Sequence, residues 1–472
     1  MVIVTLVSIR LLGVVVARAI LGLAWPIFIG QLAVMAFVFI DTLLTGHATA
    51  ADLAAMGVGA SVYASVFVSL TGVLNALNPI IGQHFGARRH PEVGASFVQG
   101  LWLALLLSAV GMPVLALPQL WLHFVDAPSD VAALVTSYLR IVSLALPAAL
   151  LFRALYAFNT AVSLPKVVMG LQLAGLALKL VLSWLLIFGF LGLPRLGVIG
   201  AGLATLIVFW GMFLAGLVVL RLHAPYQGFK IQVARPTWVS LKEQLHLGIP
   251  MGLSSGLENT SFTLMTLLVA PLGTDVLGGH QIVSNLTALA YQAPLAVSLA
   301  TATLTAQAIG AGDPRRARAT AFTGIGICVG LASLTASTVW TMRDSVVALY
   351  TTDAAVAAVA LSLIGYFAGF HVFDALQGAT AAVLRAYRVA IVPVVIYALA
   401  LWGPGLIGGY LVAFRPVLGE PRGVQGMWLM LALALMLTAT ALVAFYVWFL
   451  RAQPLLPRVA VAGTRRRQPA AR

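Results

Sequence analysis

The sequence predicts an all-α polytopic membrane protein, with twelve transmembrane helices in two pseudo-symmetric six-helix bundles. Three observations predict it. Hydrophobic residues make up 61% of the chain and charged residues 8%, at a mean hydropathy of +1.03, which leaves too few polar side chains to coat a soluble globule. Apolar runs of about 20 residues, the length that spans a bilayer, recur twelve times. Landmarks of the first six runs return in the last six at one offset. Because irregular backbone is not tolerated against lipid, the spans should be helices.

In chain order, residues 1–17 are apolar, interrupted by Arg10, and no small-residue cleavage site follows. They are expected to be an N-terminal extension without function. The first bundle, 18–222, holds runs at 18–45, 52–80, 92–117, 131–157, 165–190 and 197–222. A polar connection, 223–242, leads to the second bundle, 243–450, with runs at 243–271, 278–308, 316–341, 355–381, 389–414 and 424–450. A basic tail, 451–472, closes the chain.

The net charge of +14 lies in short connections between apolar runs, the positive-inside pattern and not a nucleic-acid surface. With both termini cytoplasmic, the inside segments hold most of the 27 Lys and Arg residues, among them Arg88, Arg89, Arg153, Arg315, Arg316, Arg385 and Arg388. Only Arg195, Arg343, Arg415 and Arg422 fall outside, while Arg140 and Lys179 lie within spans. The expected setting is a bacterial inner membrane, crossed many times by a monomer that binds lipid and no nucleic acid.

No connection is long enough for a soluble domain, and none of Lys166, Lys179, Lys230 and Lys242 follows a glycine, so a phosphate-cradling loop does not occur. Pumping would need an ion gradient or a partner. The single cysteine, Cys328, rules out an intramolecular disulfide.

Pro26 and Pro250 are 224 residues apart, and Gln83-His84-Phe85-Gly86-Ala87 matches Gln307-Ala308-Ile309-Gly310-Ala311 at the same offset. Six spans per half is an even number, so the halves should share one orientation, as in transporters built from parallel repeats. Each proline removes a backbone hydrogen bond inside a helix and marks a candidate hinge.

Of the 13 acids, all but three fall in loops or at span ends. The three are Asp41, Glu258 and Asp374. A charge at mid-bilayer costs about 2.5–3.5 kcal/mol on insertion scales, so each is a candidate site. Ser254, Ser255, Asn259 and Ser261 surround Glu258, and His371 and Gln377 lie one turn either side of Asp374. Gln281 and Asn285 form a polar stripe in the eighth span. Such amides and hydroxyls also serve as glue between helices, which does not require a carboxylate. Acids of this kind can carry a proton or, ionised, coordinate Na⁺ with neighbouring oxygens. An ion and a cationic substrate would then compete for one set of negative charges, the simplest basis for antiport.

These residues together resemble the multidrug and toxic compound extrusion family, on its bacterial NorM-like branch, over residues 18 to 450. The resemblance rests on Pro26 leading to Phe39-Ile40-Asp41-Thr42, the Gln83 loop, Gly248-Ile249-Pro250 leading to Glu258, Gly279-His280-Gln281-Ile282, and Phe373-Asp374-Ala375-Leu376-Gln377-Gly378. It implies two bundles that rock between outward-open and inward-open states and export cationic or amphipathic compounds against Na⁺ or H⁺ entry, with no other cofactor. Glu258 and Asp374 match the family's cation-coupling acids, and would hold Na⁺ in a sodium-coupled member; Asp41 matches the acid of the first bundle.

The sequence departs from that pattern twice. Phe370 stands where sodium-coupled relatives are expected to carry tyrosine, with Tyr366 one turn away. In the fifth span, Lys179 and Ser183 stand where relatives carry asparagines. Lys179 is expected to pair with Asp41, holding that acid ionised and taking it out of proton coupling. Tyr63, Phe67, Phe262 and Tyr291 are candidate cavity aromatics. A flippase for lipid-linked precursors is the alternative within related architecture, although it should place several cations in the central cavity, where only Lys179 qualifies. A membrane-embedded transferase would need clustered metal or nucleophile motifs, and the chain is not expected to be an enzyme.

Overall fold

The computed structural model describes residues 2–122, 128–190, 192, 194–417 and 419–452. Twelve long helices run through the described residues: α1 (Val2–Gly46), α2 (Ala50–Gly86), α3 (His90–Ala116), α4 (Ser129–Ala161), α5 (Pro165–Phe188), α6 (Val198–Leu222), α7 (Trp238–Val269), α8 (Thr274–Gly310), α9 (Pro314–Thr341), α10 (Ala354–Ala386), α11 (Ile391–Phe414) and α12 (Gly423–Ala452). Eleven are long and apolar enough to cross a membrane. The exception, α7, carries the polar run around Glu258, which dilutes its hydropathy.

Local chemistry sets several boundaries. Thr49 caps α2 by accepting from Asp52 N, and Asp313 and Asp353 cap α9 and α10 through the amides of Arg316 and of Ala355 and Val356. Within α2 the regular helix stops at Leu74 and resumes at Leu77. Pro79 has no N–H for the carbonyl of Asn75, which accepts from Asn78 N at 3.2 Å instead.

Three boundaries differ from the sequence reading. α1 runs from Val2 without interruption, because nothing in the apolar stretch around Arg10 breaks a helix, so the extension and the first span form one element. α2 continues to Gly86, past the expected end at 80. α7 begins at Trp238, inside the stretch expected to be linker. The rest of that linker forms a turn of 3₁₀ helix, Ala224–Phe229, and an irregular strap held along α3: Trp102 Nε1 donates to Ala234 O at 2.8 Å and Gln99 Nε2 to Arg235 O at 3.0 Å. The basic tail lies outside the described residues from 453 onward.

The repeat is written into the backbone. At the end of α2, Ala87 N bonds Gln83 O, Arg88 N bonds Phe85 O and Arg89 N bonds His84 O. At the end of α8, Ala311, Gly312 and Asp313 bond Gln307, Ile309 and Ala308 in the same pattern, 224 residues on. The ends of α4 and α10 repeat it at Val162, Ser163 and Leu164 and at Tyr387, Arg388 and Val389. Arg88, Gly312, Ser163 and Arg388 all have positive φ, between 58° and 70°.

Packing follows the same symmetry. α4 is central to the first half, against α2, α3 and α6, and α10 is central to the second, against α8, α9 and α12. One buried core joins Phe37 to Phe229 and another Met265 to Tyr446. The halves meet where α2 packs on α7 and α1 on α8, two contacts that the repeat exchanges, and where the ends of α2 and α8 pack on each other, a contact that the repeat maps onto itself. Ile20, Leu23, Ala24 and Ile27 of α1 pack there with Ala296, Val297 and Ala300 of α8.

Candidate functional site

Two acids from different helices meet on one amide. Glu258 on α7 and Asp374 on α10 both accept from Gln377 Nε2, at 3.3 Å and 3.0 Å, and Gln377 lies one turn beyond Asp374. The Tyr397 hydroxyl of α11 donates to Gln377 Oε1, fixing which end of the amide faces the acids. Tyr291 of α8 brings its hydroxyl against Gly378, where a Cβ would lie only 2.5 Å from it. Around Gly403-Pro404-Gly405, α11 widens into a π-helical segment, Leu401–Gly408, and Trp402 Nε1 donates to Leu257 O at 3.3 Å. This bond anchors α7 one residue before Glu258. Two carboxylates from two helices, held by one Gln377 NH₂ group, give oxygens suited to a proton or a small cation.

The other expected residues divide. Gln281 and Asn285 are exposed on α8, and Asn259 is half-buried on α7. His371 is buried and stacks on Phe367 at 5.4 Å, with no hydrogen-bond partner on either ring nitrogen, so the structure does not bring it to the acids. His280 is the networked histidine instead: Trp428 Nε1 donates to its Nδ1 at 3.2 Å, leaving Nε2 to donate to Thr266 Oγ1 at 3.0 Å. Phe370 packs edge-on against Phe262 and Trp428, at 5.7 Å and 5.6 Å. Tyr63 and Phe67 stack on each other at 5.6 Å. Ser255 does not face the acids. Its hydroxyl bonds Met251 O at 3.2 Å and lies against Gly72 of α2.

In the first half, Lys179 Nζ sits 2.8 Å from Asp41 Oδ2 and also donates to Thr205 Oγ1 at 2.6 Å and Ala201 O at 3.0 Å. Ser183, one turn beyond Lys179, donates to Asp41 Oδ1 at 3.0 Å. All three ammonium donors are used, and the two charged side chains are 1% and 4% exposed. Removing one member of such a pair strands the other charge, at a cost of about 3–5 kcal/mol. Lys179→Met should therefore lower the melting temperature of the purified protein, and Asp41→Asn in the same chain should recover part of the loss. Melting of the single variant at the wild-type temperature would show that the pair contributes nothing.

Both prolines lie inside unbroken helices in this conformation. Around Pro250, Gly248, Gly252 and Gly256 recur every four residues and face Val73, Gly72 and Ser69 of α2, a small-residue face that lets the backbones approach. In the sequence, Pro250 marks this stretch as a candidate hinge; the four-residue glycine spacing around it is the signal of the close helix contact. Beyond it, the loops that revealed the repeat lie against one another. Gln83 Nε2 donates to Ala386 O at 2.9 Å, Gln307 Nε2 to Ala161 O at 2.8 Å, and Arg388 Nε to Gln83 Oε1 at 2.8 Å. Arg388 also pairs with Glu243 at 2.5 Å. These contacts close the halves at the end that carries Arg88, Arg89, Arg315 and Arg316. Toward the other end Ser61, Gln281 and Asn285 are exposed.

Parallel six-helix repeats with ionisable sites inside the membrane-crossing helices, and a seam that closes at one end, define a secondary transporter. The chain belongs to the MatE family, whose sequence profile matches residues 26–185 and 250–411, one match in each repeat. It is 41% identical over 408 residues to a probable multidrug resistance protein NorM of Aromatoleum aromaticum, covering 86% of this chain and 88% of the relative. Multidrug resistance protein PmpM of Pseudomonas aeruginosa is 33% identical, covering 87% of each chain. The fold is similar to that of the eukaryotic MATE transporter AtDTX14, at a TM-score of 0.84 and 20% identity over 92% of this chain and 96% of that one.

Proposed function

We propose that this protein is a multidrug efflux antiporter of a bacterial cytoplasmic membrane, exchanging cationic or amphipathic compounds for Na⁺ or H⁺. The observation that carries the reading is the meeting of Glu258 and Asp374 on Gln377. Two acids held by separate helices bind an ion well only while α7 and α10 stay in register, so ion occupancy and helix arrangement bias one another. The names of the bacterial relatives, as multidrug resistance proteins, support drug export.

With the basic end cytoplasmic, by the positive-inside rule, this conformation is closed on the cytoplasmic side. Ion entry from outside would reach the acids here, and opening of the basic end would admit substrate from within. Asp41 is a site acid in the same half as Tyr63 and Phe67, but its charge is already matched by Lys179, which supports Glu258 and Asp374 as the coupling acids. The same pairing removes Lys179 as a pyrophosphate-binding group for a lipid-linked precursor, because its ammonium has no free donor.

Vesicles loaded with a fluorescent organic cation test the reading, with a Na⁺ gradient and a pH gradient imposed separately. One gradient should drive export and so name the ion. Export under neither gradient would remove drug antiport and direct the search to lipid-linked substrates.

A further inference from the structure

Between the two halves, on the basic side of the acid site, lies a cavity of about 40 Å³ whose lining includes Asn75, Asn78, Arg153, Tyr156 and Arg385. Arg153 comes from α4 and Arg385 from α10, so each half contributes one guanidinium. Among the described residues neither forms an ion pair with a carboxylate. Arg153 Nη2 donates to Asn75 Oδ1 at 2.8 Å, and its guanidinium lies 4.4 Å from the Tyr156 ring centre. Arg153 Nε and Tyr156 Oη are buried without a hydrogen-bond partner. Arg385 lies within electrostatic range of Glu258. The cavity thus gathers two cations, of which only Arg385 has an acid in range, and a buried guanidinium nitrogen of Arg153 without a partner.

We propose that this cavity binds a small inorganic anion of halide size, held between Arg153 and Arg385. Charge and donor chemistry set the sign: a guanidinium offers only donors, Arg153 has no carboxylate partner among the described residues and a buried Nε without a hydrogen bond, and Glu258 offsets only Arg385, which leaves the site net positive. Volume sets the size. A water needs about 10–15 Å³ in comparable measure, so the space takes a halide or a few waters, while drug pockets run to several hundred Å³. Because the two arginines belong to opposite halves, the anion ties those halves together at the closed end. Without it the like charges repel across the seam and favour opening. The site does not depend on which ion drives transport or on the identity of the exported compound.

Crystals of the full chain soaked in bromide should show an anomalous peak between Arg153 and Arg385. In detergent at constant ionic strength, replacing gluconate, which is too large for the cavity, with chloride should raise the melting temperature in proportion to the logarithm of chloride concentration. Arg153→Gln and Arg385→Gln should each weaken the apparent chloride affinity by about tenfold or more, as expected for loss of a charge-assisted hydrogen bond. Arg153→Lys, which keeps the charge, should retain part of the response. A cavity holding only water would give no bromide peak, and a chloride effect equal in wild type and both Gln variants would place the anion elsewhere; either result overturns the proposal. The bromide experiment needs only the wild-type protein, so a misfolded variant does not remove the test.

Discussion

Glu258→Gln should abolish gradient-driven efflux while leaving the fold intact. The amide is isosteric with the acid, and its carbonyl oxygen can still accept from Gln377 Nε2, so the link from α7 to α10 survives. What is lost is the negative charge and the titratable proton. An ion couples two conformations only through its different affinity for each, and a neutral amide offers neither Na⁺ nor H⁺ such a difference. Loss of one charge-assisted contact, about 1.5–3 kcal/mol, predicts at least a 10- to 100-fold fall in ion-driven rate. Asp374→Asn should behave alike, because Gln377 bonds the two acids through the same nitrogen. Substrate exchange without any gradient should persist in both variants if the acids serve coupling alone. Wild-type efflux under a full gradient in either variant would remove them from the coupling step.

The same pair shows what a sequence can and cannot disclose. Carboxylates are scarce in apolar helices, so Glu258 and Asp374 stand out, and the helices themselves follow from hydropathy and the shared offset of Pro26 and the Gln83 loop. Which groups meet is set by helix crossings that hydropathy does not encode. Gln377 was read as one polar residue beside Asp374, yet it bridges two helices and takes its orientation from Tyr397 on a third. His371 and His280 are both single histidines in apolar surroundings; only packing decides that the first stacks on Phe367 while the second bonds Trp428. Arg153 and Arg385 counted as interfacial charge because they lie near span ends, whereas the seam between the halves turns both into one cavity. The Lys179 pair with Asp41 was legible because a lysine so deep in a span has no easy route to water.

Gly86→Ala and Gly310→Ala should each prevent the basic end from closing. A Cβ built on Gly86 would lie 1.9 Å from Gln307 O, and one on Gly310 would lie 1.9 Å from Gln83 O, the same clash seen from each side of the repeat. Both obstacles are backbone, so no side chain can swing aside, and the helix ends must move apart. Overpacking in a close-packed interior costs about 1–3 kcal/mol even when neighbours can adjust. That cost falls only on the closed state, so every 1.4 kcal/mol shifts the closed-to-open ratio by about tenfold. Separation would also stretch the bonds from Gln83 to Ala386 and from Gln307 to Ala161, which act in one direction with the glycine contact. Spin labels on the exposed Arg88 and Arg315 should report a longer distance in either variant, and efflux should fall as the closed state empties. Gly330→Ala is the matched control: nothing lies within 4 Å of its added Cβ, so label distance and efflux should stay at wild-type values. If Gly86→Ala keeps the wild-type distance, the contact between the two loops is not what closes this end.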